Sequence, residues 1–507
     1  MTTTKRVALR ADISTRVALA LIAAFTLARL ALAWTFGQGF DESYTIVIAR
    51  RLDLSYFDHP PLHQWIAHFA ALAFGEGVGT RLPFVALFAV TGWMLFALTR
   101  RLFDARAGLV ALIALNLSLF FLASAGEWVL PDGPLLCALA GAALALAALM
   151  FGAPTRRSKW ALWLVAGVCL GLAGLSKYSA ALFVLGLLAF LVLSPRQRHW
   201  FSHPAPYVAA LIAMALVTPV FIWNAQHGWV SFAFQGQRGA VGGEWHPAQV
   251  VEMIFGQFVY LGPWIFVPLA GALFAPGWPG LRDERRLFLT CLALPPIVIF
   301  TITPLWGARG LPHWPMPGWF FAFPLLGAWL CEPWAERFGV KRWTLGLSAL
   351  TGLLAIVVVS QAATGWATRL FPLPPGTVDP TLEMLDWGAL RETPLIQAHP
   401  AFVVTTRWME AGKIGLALGP NQPVLTFSSD PRGIAFLDDG SRYVGKDGVV
   451  VVPERRLNET FTTLWPYFER FDRPQIVTLL RDGADAIDVA LIPAYGLTRA
   501  FPAPYRR

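Results

Sequence analysis

Long runs without a single charge alternate with short polar or basic stretches along most of this chain. Runs of roughly 17 or more residues free of Asp, Glu, Lys and Arg, the length that crosses a bilayer as a helix, lie at about 82–99, 107–126, 133–155, 160–176, 178–195, 204–226, 253–281, 287–308, 310–331 and 343–368. A first run, Val17 to Phe36, joins them and tolerates one arginine, Arg29. The pattern predicts about eleven transmembrane helices. After about residue 365 it changes. Charges return, and the apolar runs shorten to AFVVTTR (401–407), PVLTFS (423–428), GVVVVP (448–453) and QIVTLL (475–480), which read as short buried strands. Between the first two, WMEAGKIGLALG (408–419) reads as a helix closed by Gly419. Strand, helix, strand predicts a small α/β domain. The expected architecture is a polytopic α-helical membrane domain over 1–365 and a small soluble domain over 366–507.

Composition agrees and orients the chain. Of 507 residues, 56% are hydrophobic and 14% charged, against about 25% charged in a soluble globular protein. The net charge of +9 points to basic loops at a membrane rather than to nucleic acid. The basic residues fall in every second loop: Arg100, Arg101 and Arg106; Arg156, Arg157 and Lys159; Arg196 and Arg198; Arg282, Arg285 and Arg286; Arg337, Lys341 and Arg342. The N-terminal tail, with Lys5, Arg6, Arg10 and Arg16, belongs with them. These loops are expected in the cytoplasm. An odd number of crossings then puts the domain after 365 outside, on the extracytoplasmic face of the inner membrane. The first run has the charge order of a signal peptide, but it is long and no small-residue cleavage site follows, so it reads as an uncleaved span.

The outer loops hold the unusual residues: Asp41, Glu42, Asp58, His59, Asp132, Lys177, His227, Arg238, Arg309 and His313. Within the 37–81 loop, residues 41–54 and 61–74 read as short amphipathic helices at the membrane interface, separated by Pro60-Pro61. Asp41 and Asp132 each follow a span that ends outside. Two such carboxylates could serve one as base and the other as orienting group; each could also be a helix N-cap. Lys177 lies between two short spans and could neutralise a lipid phosphate or snorkel to the headgroups. Arg81, Arg238 and Arg309 are weaker candidates of the same kind. Arg29, inside the first span, needs a partner or a wet cavity. His59, His63 and His68 lack metal-ligand spacing, so no metal ligands are assigned and a divalent metal stays open as a cofactor. The four cysteines sit in apolar runs and read as small buried hydrophobes. No phosphate-binding glycine loop is present, which argues against a cytosolic nucleotide as direct donor.

These residues resemble a known pattern. FDESY (40–44), YFDHPPL (56–62), RLPF (81–84), LPDGPLL (130–136), GLSKYSA (174–180), WNAQHGWVSFAFQ (223–235) and HWPMPGW (313–319) look like bacterial membrane glycosyltransferases of the GT-C fold. Within these the chain resembles the family of protein O-mannosyltransferases and lipid A aminoarabinose transferase. The likeness covers about 1–365, and its first block is the specific one. It implies a sugar donor carried on a polyprenyl phosphate and an acceptor, whether lipid A, another glycolipid, a glycan or a protein, reached from outside. It implies Asp41 as catalytic carboxylate, with Glu42 beside it and Asp132 in support. Lys177, Arg81, Arg238 and Arg309 would hold the donor phosphate, and Tyr44, Asp58, His59 and His313 would line the cavity. Ser43-Tyr44 stands where many relatives have Ala-Tyr-Tyr, a departure that bears on substrate choice. The alternative is a transporter or flippase of lipid-linked saccharides, whose inverted repeats and broken midplane helices are not evident here.

Overall fold

The computed structural model describes residues 3–239, 244–274, 282–308, 310–333, 339–374, 377–502 and 505, with side chains from residue 13 onward. The chain divides into two compact units. A helical unit comprises Met1–Leu30, His59–Leu62 and Phe84–Gly352; a sheet-containing unit comprises Ala31–Asp58, His63–Pro83 and Leu353–Arg507.

Among the described residues, seven helices are long and apolar enough to cross a membrane: Ile13–Thr35, Val78–Leu102, Asp132–Met150, Arg156–Ser176, Pro204–Gln226, Glu284–Trp306 and Val340–Thr364. Two bent pairs, Ala105–Asn116 with Leu119–Glu127 and Pro247–Leu261 with Pro263–Phe274, raise the number to nine if each is one span. Tyr178–Leu193 and Met316–Leu330 are apolar but shorter. Each run read from the sequence therefore coincides with a helix or a bent pair, and the protein is a multi-pass membrane protein. Large apolar side chains such as Leu211, Met214, Val251 and Ile356 lie exposed on these helices, as lipid-facing residues do. Where helices touch, small residues let backbones approach: a Cβ at Gly186 would strike the Cys291 carbonyl, and one at Gly327 the Ala107 carbonyl. Arg29 finds its partners inside this unit. Its guanidinium donates to Asn116 Oδ1 at 2.9 Å and to the carbonyls of Phe121 and Leu122, at the end of the short helix Leu119–Leu122. All four cysteines are free thiols.

The other unit carries a six-stranded sheet. Strands β1 (Val403–Thr405) and β2 (Val424–Thr426) are parallel, and β1 also runs parallel to β3 (Gly448–Pro453). The four strands expected from sequence are present. Two others, β4 (Phe468–Phe471) and β6 (Ala484–Leu497), complete the sheet, with β5 at Gln475–Arg481. β6 is 14 residues long. It pairs antiparallel with β3 along one edge, and along the other with β5 and then β4. Its Asp485, Asp488 and Pro493 hid it in the sequence, because a proline argues against an interior strand. The helix Trp408–Leu418 forms between β1 and β2 as expected and ends at Gly419, which adopts φ 86°.

The first of the two first-loop helices differs from the amphipathic reading. The first is shorter, Phe40–Ala49, and its residues Glu42 to Ala49 are all buried. It packs on Trp408–Leu418. Gly412 and Gly415 make that approach possible: a Cβ at Gly412 would lie 2.7 Å from the Tyr44 backbone nitrogen, and one at Gly415 3.0 Å from the Val47 side chain. Tyr44, Val47 and Ile48 share a core with Ala411, Ile414, Val449 and Leu491. The second helix is Leu62–Phe74.

Candidate active site

In the sheet-containing unit the chemistry gathers at the N-terminus of Phe40–Ala49. Orphan amides at a helix start need acceptors. Gly39 N donates to Glu42 Oε2 at 3.2 Å and Phe40 N to Glu383 Oε1 at 3.0 Å. Glu42 is in turn gripped by Arg81, with Nε to Oε1 at 2.9 Å and Nη2 to Oε2 at 2.6 Å. Arg81 spends its other donors on the carbonyls of Ala33, Phe36 and Gly37. Arginine has five N–H donors, and all five are engaged in these contacts. Both side chains are buried, so this is a desolvated pair whose charges satisfy each other.

Asp41, the adjacent residue, is in the opposite state. No hydrogen bond or ion pair to a described residue engages its carboxylate. Solvent reaches it, but the protein around it still penalises its charge. That desolvation pushes its carboxyl up to about 6. Arg432 opposes the shift; Glu383, Asp58 and Glu42 add to it. Asp58 is itself fixed: it accepts from the Tyr44 hydroxyl at 2.7 Å and lies 3.6 Å from the Arg432 guanidinium. Tyr44 accepts from Gly433 N at 2.8 Å, and burial holds its hydroxyl well above the usual phenol range. Arg432 stacks over the Trp408 ring, 3.8 Å from the centroid, from a backbone with φ 47°.

The helical unit holds a second cluster. Asp132 is the first residue of Asp132–Met150 and caps nothing; its carboxylate takes Lys177 Nζ at 2.9 and 3.1 Å. Lys177 is extended where Arg156–Ser176 ends, and it is buried, so it does not reach outward to headgroups. His313 precedes the helix Met316–Leu330. Burial and the neighbouring charges of Lys177 and Arg238 push its imidazole down to about 4, with Asp132 opposing, so it is neutral at physiological pH. Arg238 ends the helix Val230–Gly239 and stacks on Phe234 at 4.6 Å. Asn224 sets that helix, accepting from Ser231 N at 3.2 Å.

The expected residues thus separate into two groups, Asp41, Glu42, Tyr44, Asp58 and Arg81 in one unit, and Asp132, Lys177, Arg238 and His313 in the other. His59 belongs to the helical unit. Arg309 lies outside the described residues. Arg81, expected at the donor phosphate, and Glu42, expected beside Asp41 in catalysis, are paired with each other. Arg432, Trp408 and Glu383 were not anticipated. The Pro431-Arg432-Gly433 turn was a visible signal for an unusual backbone, but nothing in the sequence indicated what Arg432 would face. Among the described residues no group of three or more His, Cys, Asp or Glu is placed to hold a metal ion.

Residues 58–223 match the family Dolichyl-phosphate-mannose-protein mannosyltransferase. The chain is 25% identical over 382 residues to the lipid A galacturonosyltransferase RgtD of Rhizobium johnstonii, covering 71% of each chain. It is 23% identical over 334 residues to an undecaprenyl phosphate-alpha-4-amino-4-deoxy-L-arabinose arabinosyl transferase of Proteus mirabilis, covering 62% of this chain and 58% of that one. The crystal structure of ArnT from Cupriavidus metallidurans bound to undecaprenyl phosphate superposes with a TM-score of 0.63 at 16% identity, over 97% of this chain and 98% of that one. The structural likeness shows the GT-C fold, and in sequence the chain is similar to one class of protein, the glycosyltransferases. Within that class the chain resembles the family that holds the protein O-mannosyltransferases and the lipid A aminoarabinose transferases.

Proposed function

We propose that this protein moves a sugar from a polyprenyl-phosphate donor to an acceptor on the extracytoplasmic side of the inner membrane, with Asp41 as the base. The observation that carries this reading is the state of Asp41: unpaired among the described residues, reached by solvent and raised to about 6, beside a Glu42 that Arg81 has neutralised. A base with that pKa is charged at neutral pH and still accepts a proton readily. The acceptor hydroxyl attacks the anomeric carbon and passes its proton to Asp41. The bond from that carbon to the phosphate oxygen breaks, and polyprenyl phosphate leaves with the electron pair.

Lys177, held in place by Asp132, and Arg238 meet the charge of the leaving phosphate, with neutral His313 as an uncharged donor beside them. Arg309 keeps this role on the resemblance alone. Tyr44, Asp58 and Arg432 fix the wall around Asp41, and His59 keeps its cavity role on the resemblance alone. Similarity to the lipid A galacturonosyltransferase RgtD makes lipid A the first acceptor to test, ahead of other glycans and proteins. The chain crosses the membrane eleven times, the shorter helices Tyr178–Leu193 and Met316–Leu330 included, and residues 366–507 form the outer domain. The alternating basic loops support that orientation.

The test is release of polyprenyl phosphate from a lipid-linked sugar by the purified protein in detergent, in the presence of lipid A. Acceptor-dependent release that is lost in Asp41→Asn is expected. Wild-type release by Asp41→Asn would overturn the assignment. A reporter enzyme active only outside the membrane should be active when fused after Arg507 and silent after Arg198; the reverse would overturn the topology.

A further inference from the structure

A groove in the helical unit plays no part in the transfer chemistry. It has a volume of about 770 Å³, within the roughly 300–1,000 Å³ of ligand clefts. Three helices wall it, Val78–Leu102, Asp132–Met150 and Arg156–Ser176, through residues such as Met94, Leu144, Ala148, Leu162 and Val165. Gly141 and Cys169 form part of its floor. Among the described residues its only charged lining residues are Arg100 and Arg101, both exposed in the last turn of Val78–Leu102.

The groove and the Lys177–Asp132 pair lie towards opposite ends of one helix. Asp132 begins it, whereas Leu144, Ala145 and Ala148 line the groove near its other end. At 1.5 Å per residue the 16 steps from Asp132 to Ala148 span about 24 Å, most of a hydrocarbon core of about 30 Å. The groove therefore opens towards the other leaflet from Asp132, whichever way the protein is oriented. An apolar trough ending in two arginines, with no acid among its lining residues, complements one kind of membrane component: a chain that fills the trough, ending in an anion. Basic pockets between transmembrane helices recognise anionic headgroups in this way.

We propose that this groove is a binding site for an anionic phospholipid, its headgroup on Arg100 and Arg101 and an acyl chain between the three helices. Nothing in it depends on the transfer reaction. The test is native mass spectrometry of the full-length protein titrated with phosphatidylglycerol or with phosphatidylcholine of the same chains. Wild-type protein should retain phosphatidylglycerol preferentially. Removing one arginine should weaken retention about fivefold, so Arg100→Gln with Arg101→Gln should weaken it about 25-fold. Ala148→Phe, which fills the trough and keeps both arginines, should weaken retention of both lipids. Phosphatidylcholine held as well as phosphatidylglycerol would overturn the proposal. So would unchanged retention in the double arginine variant, or displacement of phosphatidylglycerol by undecaprenyl phosphate with the same arginine dependence, which would make the groove a second site for the donor lipid.

Discussion

Asp41 and Asp132 look alike in the sequence. Each follows an apolar run, each opens a helix, and each could be read as a cap. The fold gives them opposite electrostatic surroundings. Asp132 meets Lys177 at 2.9 Å in a buried pair, so its charge is neutralised and its position fixed. Asp41 meets no cation at bonding distance among the described residues, faces Glu383, Asp58 and Glu42, and is pushed up to about 6. A carboxylate that positions another group and a carboxylate that accepts a proton need these two environments. The difference comes from partners that are remote in sequence: Lys177 for one, Glu383 and Arg432 for the other.

The strongest test of that contrast is to neutralise each acid in turn. Asp41→Asn should cut transfer by about 10²–10⁴-fold while leaving thermal unfolding in detergent unchanged or shifted upward, because a desolvated charge facing other acids is removed. Asp132→Asn should lower the unfolding temperature as well as the rate. Breaking one side of a buried pair costs about 3–5 kcal/mol, since Lys177 is left uncompensated. Equal thermal behaviour of the two variants would dissolve the distinction. Next in size, Lys177→Ala removes a charged donor worth about 1.5–3 kcal/mol, and the KM for the lipid-linked donor should rise about 10–100-fold with little change for the acceptor. Equal effects on both substrates would assign Lys177 to structure.

The smallest effect is a displacement in pH. Transfer should fall as pH drops through about 6, where Asp41 takes up a proton. Its stability term runs the other way. A carboxyl raised from 3.8 in the unfolded chain penalises the fold when charged, and that penalty lifts as pH falls. Arg432 favours the charged form, so Arg432→Gln should move the acid limb of the rate profile to higher pH. An unmoved limb would separate Arg432 from Asp41.

The membrane helices were legible because the bilayer demands charge-free runs of fixed length, and a run of that kind leaves a plain mark in a sequence. Asp41, Asp132 and Lys177 stood out as candidates because charged residues at the mouths of such runs are costly. The pairings were not. Arg81 read as a free cation next to an apolar run, yet its planar fork closes on Glu42 and three carbonyls left open before Phe40–Ala49. The amphipathic reading of that helix failed because its second face is covered by Trp408–Leu418, whose two close-approach glycines look ordinary in a list of letters. β6 was missed because its acids and Pro493 break the apolar run, although Pro493 still lies opposite Val449 in the ladder.

The seam between Phe40–Ala49 and Trp408–Leu418 also sets a schedule for biogenesis. Arg50 donates to the Gly415 carbonyl 365 positions later in the chain, and Tyr44 rests against Gly412. A ribosome adding about 5–20 residues per second takes on the order of 20–70 s to deliver that second helix. Until then the segment bearing Asp41 has no surface to fold against, although most of the membrane helices have already been made. The surroundings of Asp41, the proposed base, would therefore be assembled last, a natural checkpoint at which a truncated polypeptide inserts in the membrane without becoming active.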